Sequence, residues 1–301
     1  MKVVLTGSIG NIGKPLTQEL VSKGYSVTVI SSNAERQKDI EALGAKAAIG
    51  TMEDAVFLAA TFKGADIVYV METLDAAGGF FGKDTDYIET INHIGNSYKQ
   101  AIEQSGVKKV IHLSSIGADM DKGNGILIFH HNVENILKQL PEDVAIKFMR
   151  PVAFYTNMFG LIRNIKAKGA IIQNYSDEGK KPWVSPLDIA AVIAEEMGKP
   201  FEGRTIRYIA SDEVSSDELV NILGEAIGRS DLEWQVVTDE QYLNGLLAAG
   251  MNPKIAKGFM EMQASMRGGV LYEDYFRNRP VLGKVKLVDF AKEFAAAYHQ
   301  Q

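Results

Sequence analysis

The stretch "LTGSIGNIGKP", Leu5 to Pro15, decides how this chain folds. Just ahead of it, "KVVL" is apolar enough for a buried strand; after it, "KPLTQELVSKG" has the spacing of an amphipathic helix closed by Gly24. Between the two, Gly7, Gly10 and Gly13 fall at even intervals. Strand, glycine turn and helix come in the order that opens a nucleotide-binding βαβ unit. Each glycine has its own use there. Gly7 permits a tight turn, Gly10 lets backbone approach a pyrophosphate without a Cβ in the way, and Gly13 lets the helix close on the strand. Asn11 and Ile12 then present N–H groups at the helix N-terminus, where the dipole favours negative charge. The expected cofactor-binding set begins with Gly7, Gly10, Asn11, Ile12 and Gly13. The spacing is G-x-x-G-x-x-G rather than G-x-G-x-x-G, so the strand-to-helix context carries the reading.

The end of the second strand, about 20 residues on, chooses between dinucleotides. An acid there would hold a ribose 2′-hydroxyl. This chain has "ISSNAERQK" instead, with Ser31, Ser32 and then Arg36. Hydroxyls and a guanidinium suit a 2′-phosphate, so NADP(H) is expected over NAD(H). The competing reading is that Ser32 or Asn33 caps the next helix and Arg36 is a solvated charge.

Further along, strands at Lys2–Thr6, Ser26–Ile30, Ala45–Ile49, Asp66–Val70, Lys109–Ser114 and Val144–Met149 alternate with helical patterns. They are apolar nearly throughout, as strands covered on both faces are. This predicts an α/β fold, a Rossmann-type doubly wound parallel sheet, over residues 1–150. After Arg150 the rhythm becomes mixed and aromatic. Residues 151–301 are expected to form a smaller substrate-binding domain, with the chain returning to the sheet around 205–210. "SSDELVNILGEAIG" (Ser215–Gly228) carries a Ser215/Glu218 capping box. The tail from Thr238 reads as mainly helical, interrupted at Gly268–Pro280.

Composition narrows the function classes. Of 301 residues, 46% are hydrophobic and 23% charged, and the net charge of −6 gives no basic footprint for nucleic acid. No cysteine is present, which excludes disulfides, thiolate metal sites and a thiol nucleophile. No apolar run reaches the ~20 residues that span a bilayer. The N-terminus runs directly into a strand pattern without a targeting leader, so a cytoplasmic location is expected.

With these residues in view, the chain resembles the NmrA-like, atypical branch of the short-chain dehydrogenase/reductase superfamily. The resemblance rests on "TGSIGNIG", on "NHIGNSYKQAIEQSGVKKVIHLSS" (Asn92–Ser115), on "MRPVAFYTNM" (Met149–Met158), on "WVSPLDIAAV" and on "SSDELVNILGEAIGR". It covers essentially the whole chain. Such dehydrogenases use a Tyr acid/base, a Lys four residues later, a Ser and an Asn. The resemblance places the Asn at Asn92 and the Ser at Ser115, with Ser114 beside it. Ile126 falls at the Tyr position and His130 at the Lys position. No Tyr in this chain is followed by a Lys four residues later.

Two readings follow. In one, hydride passes to a small-molecule acceptor, aromatic, quinone-like or enone, whose oxyanion needs stabilisation more than a strong acid; Ser115, His130 and Asn92 are then the candidate catalytic residues. The quinone reductases and phenylpropanoid reductases of the branch also lack the Tyr. In the other, the protein is a non-catalytic NAD(P)-sensing regulator. An epimerase or dehydratase is disfavoured by the missing Tyr. His130 and His131 are not expected to bind metal, since adjacent helical residues diverge by about 100°. His93, His112 and His299 read as structural. Glu72–Asp86, with its glycines and paired phenylalanines, reads as a loop or a mobile lid. Phe154, Tyr155 and Asn157 fit either a planar substrate or core packing, and Asp188 a helix N-terminus. A monomer or homodimer, with no membrane or nucleic-acid partner, completes the expectation.

Overall fold

The computed structural model describes residues 1–82, 86–175 and 179–300. Six strands, β1 (Lys2–Leu5), β2 (Ser26–Ser31), β3 (Lys46–Ile49), β4 (Ile67–Met71), β5 (Lys109–Leu113) and β6 (Ala145–Pro151), lie within a residue or two of the sequence expectation. They alternate with helices α1 (Gly13–Ser22), α2 (Gln37–Ala42), α3 (Ala55–Phe62), α4 (Tyr87–Ser105) and α5 (Ile128–Leu137). The chain then builds β7 (Ala153–Phe154), α6 (Ile162–Lys168), β8 (Ala170–Gln173), β9 (Lys181–Val184), α7 (Pro186–Met197) and β10 (Arg204–Ile209). β10 runs parallel to β6, Arg204 opposite Ile146 through Ile209 opposite Pro151. The result is a seven-stranded sheet in the order β10-β6-β5-β4-β1-β2-β3, parallel throughout. This is the Rossmann-type fold, covered by helices on both faces.

The apolar strands explain the two layers. Successive strand residues point to opposite faces. Val3 and Leu5 therefore enter one core with Leu16 and Leu20 of α1 and Ile189 and Ile193 of α7. Val4 enters the other, with Val68, Ile91 and Ile94 of α4 and Val133 of α5. Each such side chain contributes about 1.5–3 kcal/mol on burial. Because all seven strands run the same way, the loops after β1, β2, β4, β5 and β6 gather at one edge, where ligands bind in such sheets.

Beyond the sheet, β11 (Asp212–Val214) pairs with β9, and β12 (Glu233–Val236) with β8. Helix α8 (Ser216–Ile227) has its capping box, Ser215 accepting from the Glu218 amide and Glu218 from the Ser215 amide, and ends on left-handed Gly228. Helices α9 (Asp239–Ala248), α10 (Pro253–Arg267), α11 (Glu273–Arg277) and α12 (Leu287–Gln300) complete the chain. The segment read as an interruption at Gly268–Pro280 is itself partly helical, a 3-10 turn at Val270–Tyr272 leading into α11. Tyr155 belongs to a third core, buried and stacked on Phe290 at 5.4 Å. Asp188 anchors this half, accepting from Ser211 Oγ and from the Lys284 and Val285 amides at 2.6–3.1 Å. Among the described residues no helix is long and apolar enough to cross a membrane.

Candidate functional site

The glycine turn has the shape its sequence requires. Gly7 sits at φ +86°, and a Cβ there would fall 2.7 Å from Met71 Sδ at the end of β4. A Cβ on Gly13 would lie 2.0 Å from the Ser8 carbonyl oxygen, so only glycine lets α1 start this close to the turn. Gly10 differs from both. Nothing stands within 4 Å of its would-be Cβ, so what glycine spares there is space outside the protein. Helix α1 opens at Ile12 with no side chain capping it. An open cradle and an uncapped helix N-terminus fit a dinucleotide pyrophosphate. Gly7, Gly10, Asn11, Ile12 and Gly13 form that turn and helix start.

At the end of β2, Ser31 is buried, donates to the Asn33 carbonyl at 3.2 Å and accepts from Ser8 Oγ at 3.0 Å. It braces the glycine turn against the second strand. Ser32 is exposed. Asn33 caps the following 3-10 turn by accepting from the Glu35 amide. Arg36 is half exposed and only 3.9 Å from Asp39, so its guanidinium is loosely held beside the turn.

The next loop carries a group the sequence reading passed over. Glu72, immediately after β4, has a fully buried side chain. Its two carboxylate oxygens divide between two histidines, Oε2 to His112 Nε2 at 2.9 Å and Oε1 to His130 Nδ1 at 2.7 Å. His112 comes from β5 and is wholly buried, with Nδ1 unpartnered. His130 comes from α5 and keeps 14% of its side chain exposed. Burial alone would raise the Glu72 carboxyl; His112 first and His130 second outweigh it and bring the value down to about 2. The carboxylate is therefore ionised at neutral pH. Met71, its chain neighbour, abuts Gly7 and accepts from Tyr98 Oη at 2.5 Å, so Glu72 stands directly beside the nucleotide cradle.

Adjacent serines after β5 part company. Ser114 is buried and donates to Glu134 Oε1 at 2.7 Å. Glu134 is held by Arg150 through two bonds of 2.8 Å, and by Lys138 at 3.1 Å. Arg150 reaches on to Tyr208 and Asp274, each at 3.2 Å. Burial pushes the Glu134 carboxyl up, but Arg150 and then Ser114 pull it below the usual range. Ser115 is half-buried, and its hydroxyl has no hydrogen bond among the described residues. Of the two, Ser115 has the hydroxyl free to meet a ligand.

Ile126, at the position of the missing Tyr, is buried under α10: a Cβ on Gly258 would come within 3.1 Å of its backbone. Gly125 is pressed as closely, its would-be Cβ 2.1 Å from the Gly258 carbonyl. The same helix pins the loop read as a lid. Asn252 bonds the Phe80 carbonyl through its amide at 2.9 Å and the Gly82 carbonyl through its side chain at 2.6 Å. Phe80 packs edge-on against Phe259, and Lys254 pairs with Asp86 at 2.7 Å. Residues 72–82 are thus tied down; residues 83–85 of the expected lid lie outside the described residues. Asn92 lines a cleft of about 670 Å³ with Glu89, His93, Asn96 and Lys254. Its buried Oδ1 is unpartnered, and no hydrogen bond joins it to Ser115 or His130 among the described residues. Tyr155 is core, Asn157 exposed and Phe154 partly buried.

The structure therefore brings the glycine turn, Glu72, His112 and His130 together, with Ser115 on the next loop. The sequence held one signal for Glu72: a lone acid directly after an apolar strand, at the edge where ligands bind. Nothing local announced its two partners.

The model of the NmrA-like family matches residues 1–273. An NAD(P)H azoreductase from Xenophilus azovorans is 24% identical over 98% of this chain and 99% of its own length. The NADPH complex of an NADPH-dependent quinone oxidoreductase from Escherichia coli superimposes with a TM-score of 0.80 at 16% identity, covering 97% of this chain and 99% of that one. The NADP(H) complex of a triphenylmethane reductase from Citrobacter sp. does so with a TM-score of 0.72 at 20% identity, covering 97% and 99%.

Proposed function

The chain belongs to the NmrA-like family, and from that premise and the geometry of the site we propose that it is an NADPH-dependent reductase of a quinone-like or enone small molecule. The observation that carries the reading is the junction of an open glycine cradle with a polar site in which Ile126 stands at the position of the usual acid/base Tyr. Bound NADPH would supply the hydride. Gly7, Gly10, Asn11, Ile12 and Gly13 hold its pyrophosphate. Ser32 and Arg36 meet the 2′-phosphate, while Ser31, already bonded to Ser8 and Asn33, shapes that end of the site. Ser115 donates to the acceptor oxygen, and His130 serves the proton or ribose side. Asn92 supports from the α4 cleft. An acceptor whose reduced form is a stabilised oxyanion asks little of a strong acid, which suits a site with Ile126 where the Tyr would stand. Dye and quinone reductases among its relatives and structural neighbours support the same chemistry.

The test is loss of NADPH absorbance with purified protein against a panel of quinones, enones and azo dyes, with NADH alongside. Acceptor-dependent oxidation, faster with NADPH, is the expected result. Tight NADPH binding without oxidation of any acceptor would replace this reading by that of an NAD(P)-sensing regulator, whose partner must shift cofactor affinity reciprocally.

A further inference from the structure

The buried trio at the end of β4 goes beyond this reading, although its chemical step rests on it. Glu72 has two oxygens and spends each on a different imidazole, one from β5 and one from α5. An ionised carboxylate only accepts, so each ring must turn an N–H toward it. That fixes Nε2–H for His112 and Nδ1–H for His130. The two rings are otherwise unlike. His112 is sealed, its second nitrogen buried without a partner. His130 is the one with exposed surface, and its Nε2 has no hydrogen bond among the described residues. Through Met71, Glu72 is also locked to the wall of the glycine cradle.

We propose that Glu72 is a positioning residue for His130: by accepting from Nδ1–H it fixes the ring's orientation and tautomer, and leaves Nε2 to deliver a proton to the reduced acceptor. The step balances. As the acceptor takes hydride from the bound dinucleotide, its oxygen gains an electron pair. The O–H bond forms while the Nε2–H bond of a protonated His130 breaks, the N–H electron pair stays on Nε2, and water restores the proton. The carboxylate remains ionised throughout and offsets the charge of the protonated ring. His112 steadies the other oxygen, so that Glu72 cannot rotate away from His130. Among the described residues, the charged and titratable groups facing the trio are Tyr69 of β4 and Tyr98 of α4, beside Glu72, and Glu134 of α5 with Arg150 behind it, beside His112.

Two measurements test this, one of them independent of turnover. Long-range ¹H–¹⁵N spectra of the free protein, with His130 identified by His130→Gln, should show the Nδ1–H form in the wild type and a mixture of tautomers in Glu72→Gln. The turnover number of Glu72→Gln should fall about tenfold or more with the alkaline limb of its pH profile displaced to lower pH, as for loss of a carboxylate that orients a general acid and favours its protonated form. Its NADPH affinity should stay within about threefold of wild type, and Glu72→Asp should recover part of the rate. Wild-type His130 in the Nε2–H form, or a Glu72→Gln protein with unchanged tautomer and pH profile, would overturn the proposal. Should Glu72→Gln fail to fold, the wild-type spectrum alone decides. If no acceptor oxidises NADPH, the reductase reading fails, while the tautomer still decides the role of Glu72.

Discussion

Glu72 and Glu134 are both carboxylates with no exposed side-chain surface, yet they sit in opposite kinds of company. Glu134 is gripped by a guanidinium that is never neutral, a lysine and a serine hydroxyl. Glu72 is gripped by two imidazoles, one sealed and one with exposed surface. The first arrangement is a fixed brace joining α5, β6 and, through Asp274, α11. The second ends in a ring, His130, whose Nε2 carries no hydrogen bond among the described residues. The difference teaches that burial of a carboxylate does not by itself set it apart; what distinguishes Glu72 is that one of its partners reaches a surface with a polar atom unspent.

That contrast can be broken first at the brace. Arg150→Ala leaves Glu134 buried without its main counter-charge, and should cost about 3–5 kcal/mol in urea unfolding, as loss of one partner of a buried pair does. A much smaller loss would mean that Lys138 and Ser114 suffice. Acid treats the two carboxylates alike in sign. Each has its folded carboxyl below the unfolded value of about 4.5. Their stabilisation is therefore complete above that pH and is lost as pH falls, for Glu72 down through about 2. Glu72→Gln should flatten the wild-type fall in unfolding free energy between those limits; an unchanged slope would show that Glu72 is not held as described.

The paired serines sharpen the same distinction on a smaller scale. Ser115→Ala should lower the turnover number about 100-fold with little change in melting temperature, as removal of one oxyanion donor does. Ser114→Ala should do the reverse, losing about 1–2 kcal/mol of stability through the unpaired Glu134 oxygen while keeping most of the activity. Stopped kinetics and thermal melts on the two proteins would show whether the roles are divided or shared. The smallest effect is expected at Arg36. Its replacement by Ala should weaken NADPH about tenfold and leave NADH nearly unchanged, since a surface guanidinium offers one charge-assisted contact. Equal losses for both dinucleotides would remove Arg36 from the 2′-phosphate site.

Much of the fold was legible because its signals are local. The glycine turn, the Ser215/Glu218 capping box and the apolar strands each declare themselves within a dozen residues, and the strand positions differ from expectation only at their ends. The working side of the site is written at long range. Glu72 meets His112 at a separation of 40 residues and His130 at 58; the residue reading left His112 among the structural histidines and Glu72 inside a loop. Resemblance puts Ile126 at the position of the missing Tyr, but its cover by Gly258 of α10 depends on a helix far along the chain. No periodicity around residue 126 announces that partner. Likewise the glycines of residues 72–86 read as a loop or a mobile lid, whereas Asn252 and Lys254 bond the described residues Phe80, Gly82 and Asp86.

Those last bonds have a consequence for how the protein comes into being. The seam between Gly82 and Asn252 spans 170 residues of sequence, and that between Asp86 and Lys254 spans 168. Closing so long a loop carries an entropic cost that only the finished chain can offset. The glycine turn closes on nearby chain instead, the Ser8 amide on the Ile30 carbonyl and Gly7 against Met71, all of it made long before α10 emerges. The wall that α10 lays over Gly125 and Ile126 is therefore among the last parts of the molecule to close.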